Sequence, residues 1–314
     1  MASKPLQGVR ILDLTRLLPG PVATLHLADL GADVIKIEDH GAGDYARTMG
    51  DGPEGVSVFY RAVNRNKRGL RLDLKNPEGA ALFRRLAAEA DVVIESFRPG
   101  VMDKLGVGYE ALRSLNPRLV CCAITGYGQS GPLALAAGHD LNYIGYAGIL
   151  DQIGVDGGQP AIPNLQIGDL LGGAMSAVMG ILAALFDARR SGQGRFVDVS
   201  MSDAALAHNL FPLFALQGSG SVPERGRDML SGGDASTEST PRRMAATWRW
   251  RPWSASSGTS SATPSASPGG RPAMAPPEPR PESCGQSWRP FSPASPSPTG
   301  RKSSPGSIAA SRRC

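Results

Sequence analysis

The sequence predicts an α/β fold in which a parallel sheet carries helices on its faces. Two observations predict this class. Short β-rich runs alternate with segments of helical spacing from residue 9 to residue 216. The first of them, Val9–Leu14, Val22–Leu30 and Ala32–Glu38, make a strand–helix–strand unit, which joins parallel strands. The unit lacks a Gly-x-Gly-x-x-Gly run, which disfavours a dinucleotide cofactor.

The other elements follow along the chain with their own start and stop signals. Pro19-Gly20-Pro21 separates the first strand from its helix, and Gly31 ends that helix. A proline at the start predicts the helix from Pro77. Ser202 and Asp203 are typical helix caps. The predicted elements are strands at Leu70–Lys75, Asp91–Glu95, Leu119–Thr125 and Arg195–Met201, with helices at Pro77–Ala90, Ala174–Arg190 and Ala204–Leu216.

Polar loops follow several of these strands. Ligands of open α/β sheets bind at the carboxyl ends of the strands. Ser96–Gly100 follows one strand, and the turn-rich Gly126–Pro132 follows another and leads to His139. A basic cluster at Asn64–Arg68 is either a solvated surface or a seat for the phosphates of a ligand.

Two side chains are candidate acid–base groups. His139 lies in the run Gly138–Tyr143, and Asp169 begins a long apolar segment about thirty residues later. Inversion of a carbon acid needs one group that removes a proton and another that returns a proton to the opposite face. The alternatives are a structural histidine and an aspartate that caps the helix before Leu170.

Composition bounds the class of protein. Residues 234–314 contain eleven Lys/Arg and four Asp/Glu, so residues 1–233 carry a net charge of −2 although the whole chain is at +5. The basic balance therefore gives no reason to predict nucleic-acid binding. The N-terminus does not read as a signal peptide, no apolar run is expected to be long enough to span a membrane, and four cysteines do not make a disulfide framework. A cytoplasmic protein with no metal site and no membrane partner is expected.

Several blocks together resemble the class III CoA-transferases of the CaiB/BaiF type, and within them the α-methylacyl-CoA racemases. The resemblance covers residues 5 to about 233. It is carried by Leu12–Leu14, Pro19–Pro21, Ala28–Lys36, Asn64–Arg68, Ser96–Val101, Thr125–Gln129, Gly138–Tyr143 and Gly168–Asp169.

The resemblance implies a Rossmann-like large domain, a small domain and an interlocked homodimer that acts on acyl-CoA thioesters without a separate cofactor. It implies that Asp169 and His139 are the catalytic residues. The basic cluster then becomes a seat for the CoA phosphates, whereas Asp39 stands where a racemase has a phosphate-binding arginine. The implied CoA contacts are Leu72, Asp73, Leu74, Lys75, Ser96, Phe97, Arg98, Lys104, Gly138, Asp140, Leu141, Asn142 and Tyr143.

Two activities follow from this resemblance. A racemase or epimerase of 2-methylacyl-CoA thioesters, in fatty acid metabolism, would exchange the α-proton between His139 and Asp169. Backbone N–H groups at the start of the helix would stabilise the enolate. A CoA-transferase would instead use Asp169 to form an acyl anhydride and move CoA between carboxylic acids. His139 favours the racemase, because most transferases lack histidine at that position.

The composition changes after Gly233. Residues 234–314 contain no Leu, Val or Tyr but hold all four Trp and 14 of the 26 Pro, so they are expected to be disordered. The alternatives are a Pro/Ser-rich linker or tail, which four Trp beside many Arg and Pro disfavour, and a frameshift. Read from the third base of Ser236, permitted codons can give a sequence that resembles the small domain of the family. In that frame a glutamate codon would straddle Trp253 and Ser254, and it would match the glutamate that partners the catalytic histidine of racemases.

The predicted organisation is therefore an incomplete large domain over residues 1–233 and an out-of-frame tail over 234–314, with the small domain missing or scrambled. A third hypothesis follows, that the chain as written is a non-functional product that binds CoA at most.

Overall fold

Six parallel strands form one sheet in the computed structural model of the chain, which describes residues 3–233. The strand order is β3-β2-β1-β4-β5-β6, with all five pairings parallel. This confirms the predicted α/β class. The strands are β1 (Arg10–Leu14), β2 (Asp33–Glu38), β3 (Lys67–Arg71), β4 (Val92–Glu95), β5 (Val120–Thr125) and β6 (Phe196–Ser200). The predicted disordered and out-of-frame tail, residues 234–314, lies outside the described residues.

The helices largely follow the sequence prediction but differ at their ends. They are α1 (Pro19–Asp29), α2 (Val58–Val63), α3 (Pro77–Ala88), α4 (Val101–Lys104), α5 (Tyr109–Leu115), α6 (Asp140–Tyr146), α7 (Ile149–Gln152), α8 (Ser176–Ser191), α9 (Met201–His208) and α10 (Leu210–Ser219). The proline run predicted to precede α1 instead begins it, because proline is compatible with the first helical turn. The predicted helix Ala204–Leu216 is two helices that meet at Asn209, and Ser200 caps the first.

Strand β3 lies about three residues earlier than the predicted Leu70–Lys75. Its register is set by β2, with Val34 opposite Lys67 and Glu38 opposite Arg71. The amide of Leu72 still donates to the carbonyl of Glu38, but the chain then turns and Asn76 caps α3. Pairing with β2 therefore determines where β3 begins and ends. The alternation of apolar and polar residues from Leu70 to Leu74 predicted these bounds wrongly.

Two apolar clusters cover the two faces of the sheet. One joins β1, β4 and β5 to α1 and α8, through residues such as Ile11, Leu27 and Ile181. The other joins the sheet to α3 and α5, through Phe83 and Leu112. Near-continuous burial of β5, from Val120 to Thr125, is typical of a central strand covered on both faces.

A buried network of charges fixes the chain just beyond β1. The Lys36 ammonium group contacts the carboxylate of Asp44 at 2.9 Å and donates to the carbonyl of Thr15 at 2.7 Å. Lys67 contacts Asp13 at 3.2 Å. Burial alone would raise the pKa of Asp13, but Lys67, Lys36 and two threonine hydroxyls lower it to about 2. Asp13 therefore stays ionised at neutral pH, and the contacts of Lys36 and Asp44 hold Thr15 and Leu17 in place.

The helical stretch Gly168–Ser191 is long and apolar enough to cross a membrane by length and composition, which corrects the expectation that no such run exists. Within the described part of the chain it is the one helix of this kind. Its buried side chains, among them Ala177, Ile181 and Leu185, belong to the core cluster on one face of the sheet. A core helix explains the apolar composition.

Candidate active site

The carboxyl ends of all six strands meet at one edge of the sheet, and the loops after β1 and β4 contact each other there. The amide of Arg16 donates to the Ser96 hydroxyl at 3.1 Å. The Arg16 guanidinium lies over the rings of Tyr45 and Phe97, 5.3 Å and 5.4 Å from their centroids. Parallel pairing brings these loops together, as expected for a ligand site in an open α/β sheet.

His139 lies immediately before α6, in extended backbone at the N-cap position. Its amide donates to the Asn142 side chain at 2.9 Å, and its imidazole is on an exposed residue. The backbone before it passes close to aromatic rings: a Cβ added at Gly138 would lie 2.8 Å from the Tyr127 hydroxyl. Asn142 therefore has a capping role that orients the histidine backbone.

The structure brings Asp169 to the same helix start. The Asp169 amide donates to a carboxylate oxygen of Asp140 at 3.0 Å, and Asp140 follows His139 in sequence. A Cβ added at Gly168 would approach that oxygen and Tyr143 at 3.2 Å, so glycine permits the close contact. The Asp169 backbone is thus joined to the start of α6, one residue after His139.

Asp169 is not the helix cap that its position suggested as an alternative. It lies inside a π-helical stretch, Gly168–Met175, that runs into α8. Such turns occur frequently at functional sites because they redirect side chains. The amides of Asp169 and Leu170 donate to Asp140 and to the Gln166 carbonyl. These two amides therefore cannot be the backbone donors that were predicted to stabilise an enolate, because both already donate within the protein.

The surroundings of Asp169 raise the pKa of its carboxyl group. Its pKa is raised to about 6, mainly by burial and also by the charge of Asp140, while His139 opposes the increase. His139 is therefore close enough to Asp169 to lower the pKa of its carboxyl group. A carboxyl group of this acidity exchanges protons near neutral pH more readily than an ordinary aspartate.

The predicted CoA contacts occupy three places in the structure. Leu72, Asp73, Leu74 and Lys75 follow β3, whereas Ser96, Phe97, Arg98 and Lys104 lie in the loop after β4 and in α4. The Leu72 side chain is buried and Leu74 packs against the core, while Asp73, Lys75, Arg98 and Lys104 are exposed. Gly138, Asp140, Leu141, Asn142 and Tyr143 form the start of α6 together with His139. In that third group Asp140 and Tyr143 are buried.

Sequence reasoning missed Arg16 as a residue of this edge. Arg16 forms an ion pair with Asp39 at 3.0 Å. Asp39 stands where a racemase has a phosphate-binding arginine, and the structure thus brings an arginine from another loop to this position. The sequence carried a signal for this residue, because Arg16 lies two residues after the end of β1, at the carboxyl edge of the sheet.

The basic cluster Asn64–Arg68 does not lie where a phosphate seat was expected. It lies before and at the start of β3, opposite Val34 at the beginning of β2. Its cations are paired with acids: Arg65 with Asp29, Arg68 with Asp33 and the buried Lys67 with Asp13. These ion pairs explain the cluster as part of the fold.

Comparisons with known proteins identify the family. A sequence profile described as CoA-transferase family III matches residues 6–235. Human succinyl-CoA:glutarate CoA-transferase is 42% identical over 65% of this chain and 47% of its own length. Human alpha-methylacyl-CoA racemase is 39% identical over 73% of this chain and 56% of its own.

Solved structures give the same result. A CAIB/BAIF family protein from Brucella suis superposes with a TM-score of 0.68 at 38% identity, covering 71% of this chain and 60% of the other. Rv3272 from Mycobacterium tuberculosis gives a TM-score of 0.63 at 36% identity, covering 69% and 60%. The chain spans about half the length of the curated relatives it matches. It belongs to CoA-transferase family III, a family of enzymes that includes both CoA-transferases and racemases.

Proposed function

We propose that the gene specifies a racemase of 2-methylacyl-CoA thioesters and that Asp169 and His139 are its two acid–base groups. The observation that carries the proposal is the junction at Asp140, which binds the Asp169 amide and directly follows His139. The raised pKa of Asp169, about 6, supports the same role.

The proposed reaction breaks the α C–H bond of the thioester and remakes it on the opposite face. The carboxylate of Asp169 takes the α-proton of one enantiomer while the imidazolium group of His139 donates a proton to the other face. The intermediate carries its negative charge on the thioester oxygen, and the roles of the two groups reverse for the other enantiomer. The reaction needs no oxidant or cofactor, since one proton leaves and one returns.

A CoA-transferase is the second candidate, and a specific observation favours it. A succinate–glutarate transferase from Agrobacterium fabrum is 45% identical over 210 residues, above the 39% of the human racemase. In that reaction Asp169 attacks the thioester carbonyl, CoA leaves as a thiolate and an acyl anhydride forms. Asp169 is partly buried and beside α6, so its geometry suits either reaction. His139 is the residue that discriminates between them.

We also propose that the reading frame changes near Gly233 and that the intact product includes the family's small domain. The support is compositional, since residues 234–314 lack Leu and Val, and family similarity ends at residue 235. Permitted codons in the shifted frame can encode the glutamate that would partner the exposed His139. Resequencing the gene across the codons for Gly233 and Asp234 tests this directly. The intact product is proposed to be a cytoplasmic homodimer.

Solvent exchange at the α-carbon is the experiment that separates the two functions. The frame-restored protein is incubated with each single enantiomer of a 2-methylacyl-CoA in deuterium oxide. We expect α-deuteration and loss of optical activity with both enantiomers, measured by mass spectrometry and chiral chromatography. Transfer of CoA to added succinate or glutarate without α-deuteration would overturn the racemase and establish the transferase.

The pH dependence of exchange follows from the acidity of Asp169. Its pKa of about 6 lies above the ordinary value, so the carboxylate needed as base is lost as the pH falls through 6. We expect proton abstraction by Asp169 to decline about tenfold per pH unit below that point. Asp140→Asn keeps an acceptor for the Asp169 amide but removes the neighbouring charge, so the decline should move to lower pH. Initial rates of exchange from pH 4.5 to 8 measure both midpoints, and an unchanged midpoint would contradict the role given to Asp140.

A further inference from the structure

Tyr143 is a buried residue of α6 whose side chain lies between three segments of the candidate active site. A Cβ added at Gly126 would lie 2.5 Å from its ring, and one added at Gly138 would lie 2.8 Å from it. A Cβ added at Gly168 would lie 3.2 Å from the Cβ of Tyr143. Gly126 follows β5, whereas Gly138 and Gly168 each directly precede one of the proposed acid–base groups. Tyr143 therefore packs against the backbone before both groups, and glycine permits the close approach.

The hydroxyl group of Tyr143 binds the backbone at His139. It donates to the carbonyl of Gly138 at 2.5 Å. This carbonyl and the N–H of His139 belong to one peptide group, and that N–H donates to the Asn142 side chain at 2.9 Å. Both polar atoms of the peptide group are thus held by side chains from the first four residues of α6. Because a peptide group is planar, the two hydrogen bonds fix its plane and the backbone from which the imidazole group projects.

The surroundings of the Tyr143 ring hold the hydroxyl group in place as a donor. Tyr143 is 6% exposed and belongs to the core cluster of α1 and α8. The Tyr127 ring contacts it edge-on, with 5.4 Å between centroids and 81° between planes. Burial raises the pKa of Tyr143, and the nearby charge of Asp169 adds to the increase. The hydroxyl group therefore stays protonated throughout the pH range in which Asp169 titrates.

The exposed position of His139 explains why a restraint is needed there. His139 ends the loop that follows β5, and its backbone is extended and lies outside α6. Inversion of a carbon centre requires two groups at a fixed separation, on opposite faces of one atom, and small displacements of such groups are costly. The amide of Asp169 is already bound at the start of α6. Tyr143 supplies the corresponding restraint on the His139 side.

We propose that Tyr143 is a positioning residue for His139. Its hydroxyl group fixes the peptide group between Gly138 and His139, and so places the imidazole group for proton transfer opposite Asp169. This inference rests on the proposed racemase. It differs from the CoA contact that the resemblance implied, because the side chain is buried in the core and its hydroxyl group already donates to a carbonyl.

Tyr143→Phe in the frame-restored protein removes the hydroxyl group and keeps the packing of the ring. We expect kcat for racemisation to fall by about ten- to a hundredfold, since a displacement of about 1 Å at a reacting group can cost a hundredfold. The KM value and the dissociation constant for acetyl-CoA should stay within about twofold, because the variant changes proton transfer and not binding.

Tyr146→Phe is the matched control, since it makes the same substitution at an exposed position of the same helix. It should retain the wild-type kcat and KM. A kcat near the wild-type value in Tyr143→Phe would overturn the positioning role. A loss that lies only in KM or in affinity for acetyl-CoA would also overturn it, and would return Tyr143 to a contact with CoA.

Hydrogen–deuterium exchange of backbone amides tests the anchor without any reaction. The peptide that contains Gly138–Asn142 should exchange faster in Tyr143→Phe than in wild type and Tyr146→Phe, because its backbone has lost one hydrogen bond. The result should be the same in the 314-residue chain and in the frame-restored protein. If the frame-restored wild type exchanges no α-proton, the proposed racemase is wrong, whereas amide exchange still judges the anchor. Equal amide exchange in all three proteins would overturn the role of Tyr143.

Discussion

Replacement of Asp169 by Asn in the frame-restored protein is expected to reduce α-proton exchange by about 10² to 10⁴-fold, the usual contribution of a general acid–base group. The amide has nearly the shape of the carboxylate but cannot accept the α-proton. Its backbone N–H can still donate to Asp140, so the local fold should persist. The initial rate of deuterium incorporation measures the loss.

Two further variants and one binding measurement test whether the loss is specific to the acid–base groups. His139→Ala should reduce exchange over the same range, because the second face of the carbon then has no proton donor. Asp187→Asn, which changes a partly exposed acid paired with Arg195 at the far end of α8, should retain full activity. The dissociation constant for acetyl-CoA should change little in either active-site variant. Near-wild-type exchange in His139→Ala would return His139 to a structural role and favour the transferase.

The 314-residue chain as written is expected to show no measurable racemisation, in contrast to the frame-restored protein. Several large apolar side chains are exposed in the described residues: Met179 at 67%, Phe186 at 65% and Phe214 at 60%. They lie on α8 and α10, the last long helices before the composition changes. Exposed apolar surface of this kind marks a missing partner or an aggregation hazard. Native domains have a margin of only about 5–15 kcal/mol, which the loss of core elements would exceed.

Expression of both versions side by side measures this effect. The chain as written should give a low yield of folded protein, early proteolysis after residue 233 and no dimer by sedimentation. The frame-restored version should give a dimer with racemase activity. A dimer of comparable turnover from the written chain would contradict the prediction and remove the case for a frameshift.

The sequence by itself determined the class of fold and most of its elements. Strands such as Leu119–Thr125 could be predicted because a parallel strand buried on both faces leaves a continuous apolar run. The motif residues could also be predicted from the sequence, because the blocks that resemble the family include the residues around His139 and Asp169. Local signals failed where pairing decides the outcome, as in β3, whose residues alternate well beyond the point at which β2 stops pairing with them.

The tertiary structure alone decided what each charged residue does. The sequence shows the basic cluster Asn64–Arg68, but it does not show that the cations of this cluster form ion pairs. Their partners are Asp13, Asp29 and Asp33. It shows Asp140 and Asp169 but not the hydrogen bond that joins them across 29 residues. Charge interactions act through space and depend on burial, so their partners appear only once the strands have brought distant loops to one edge.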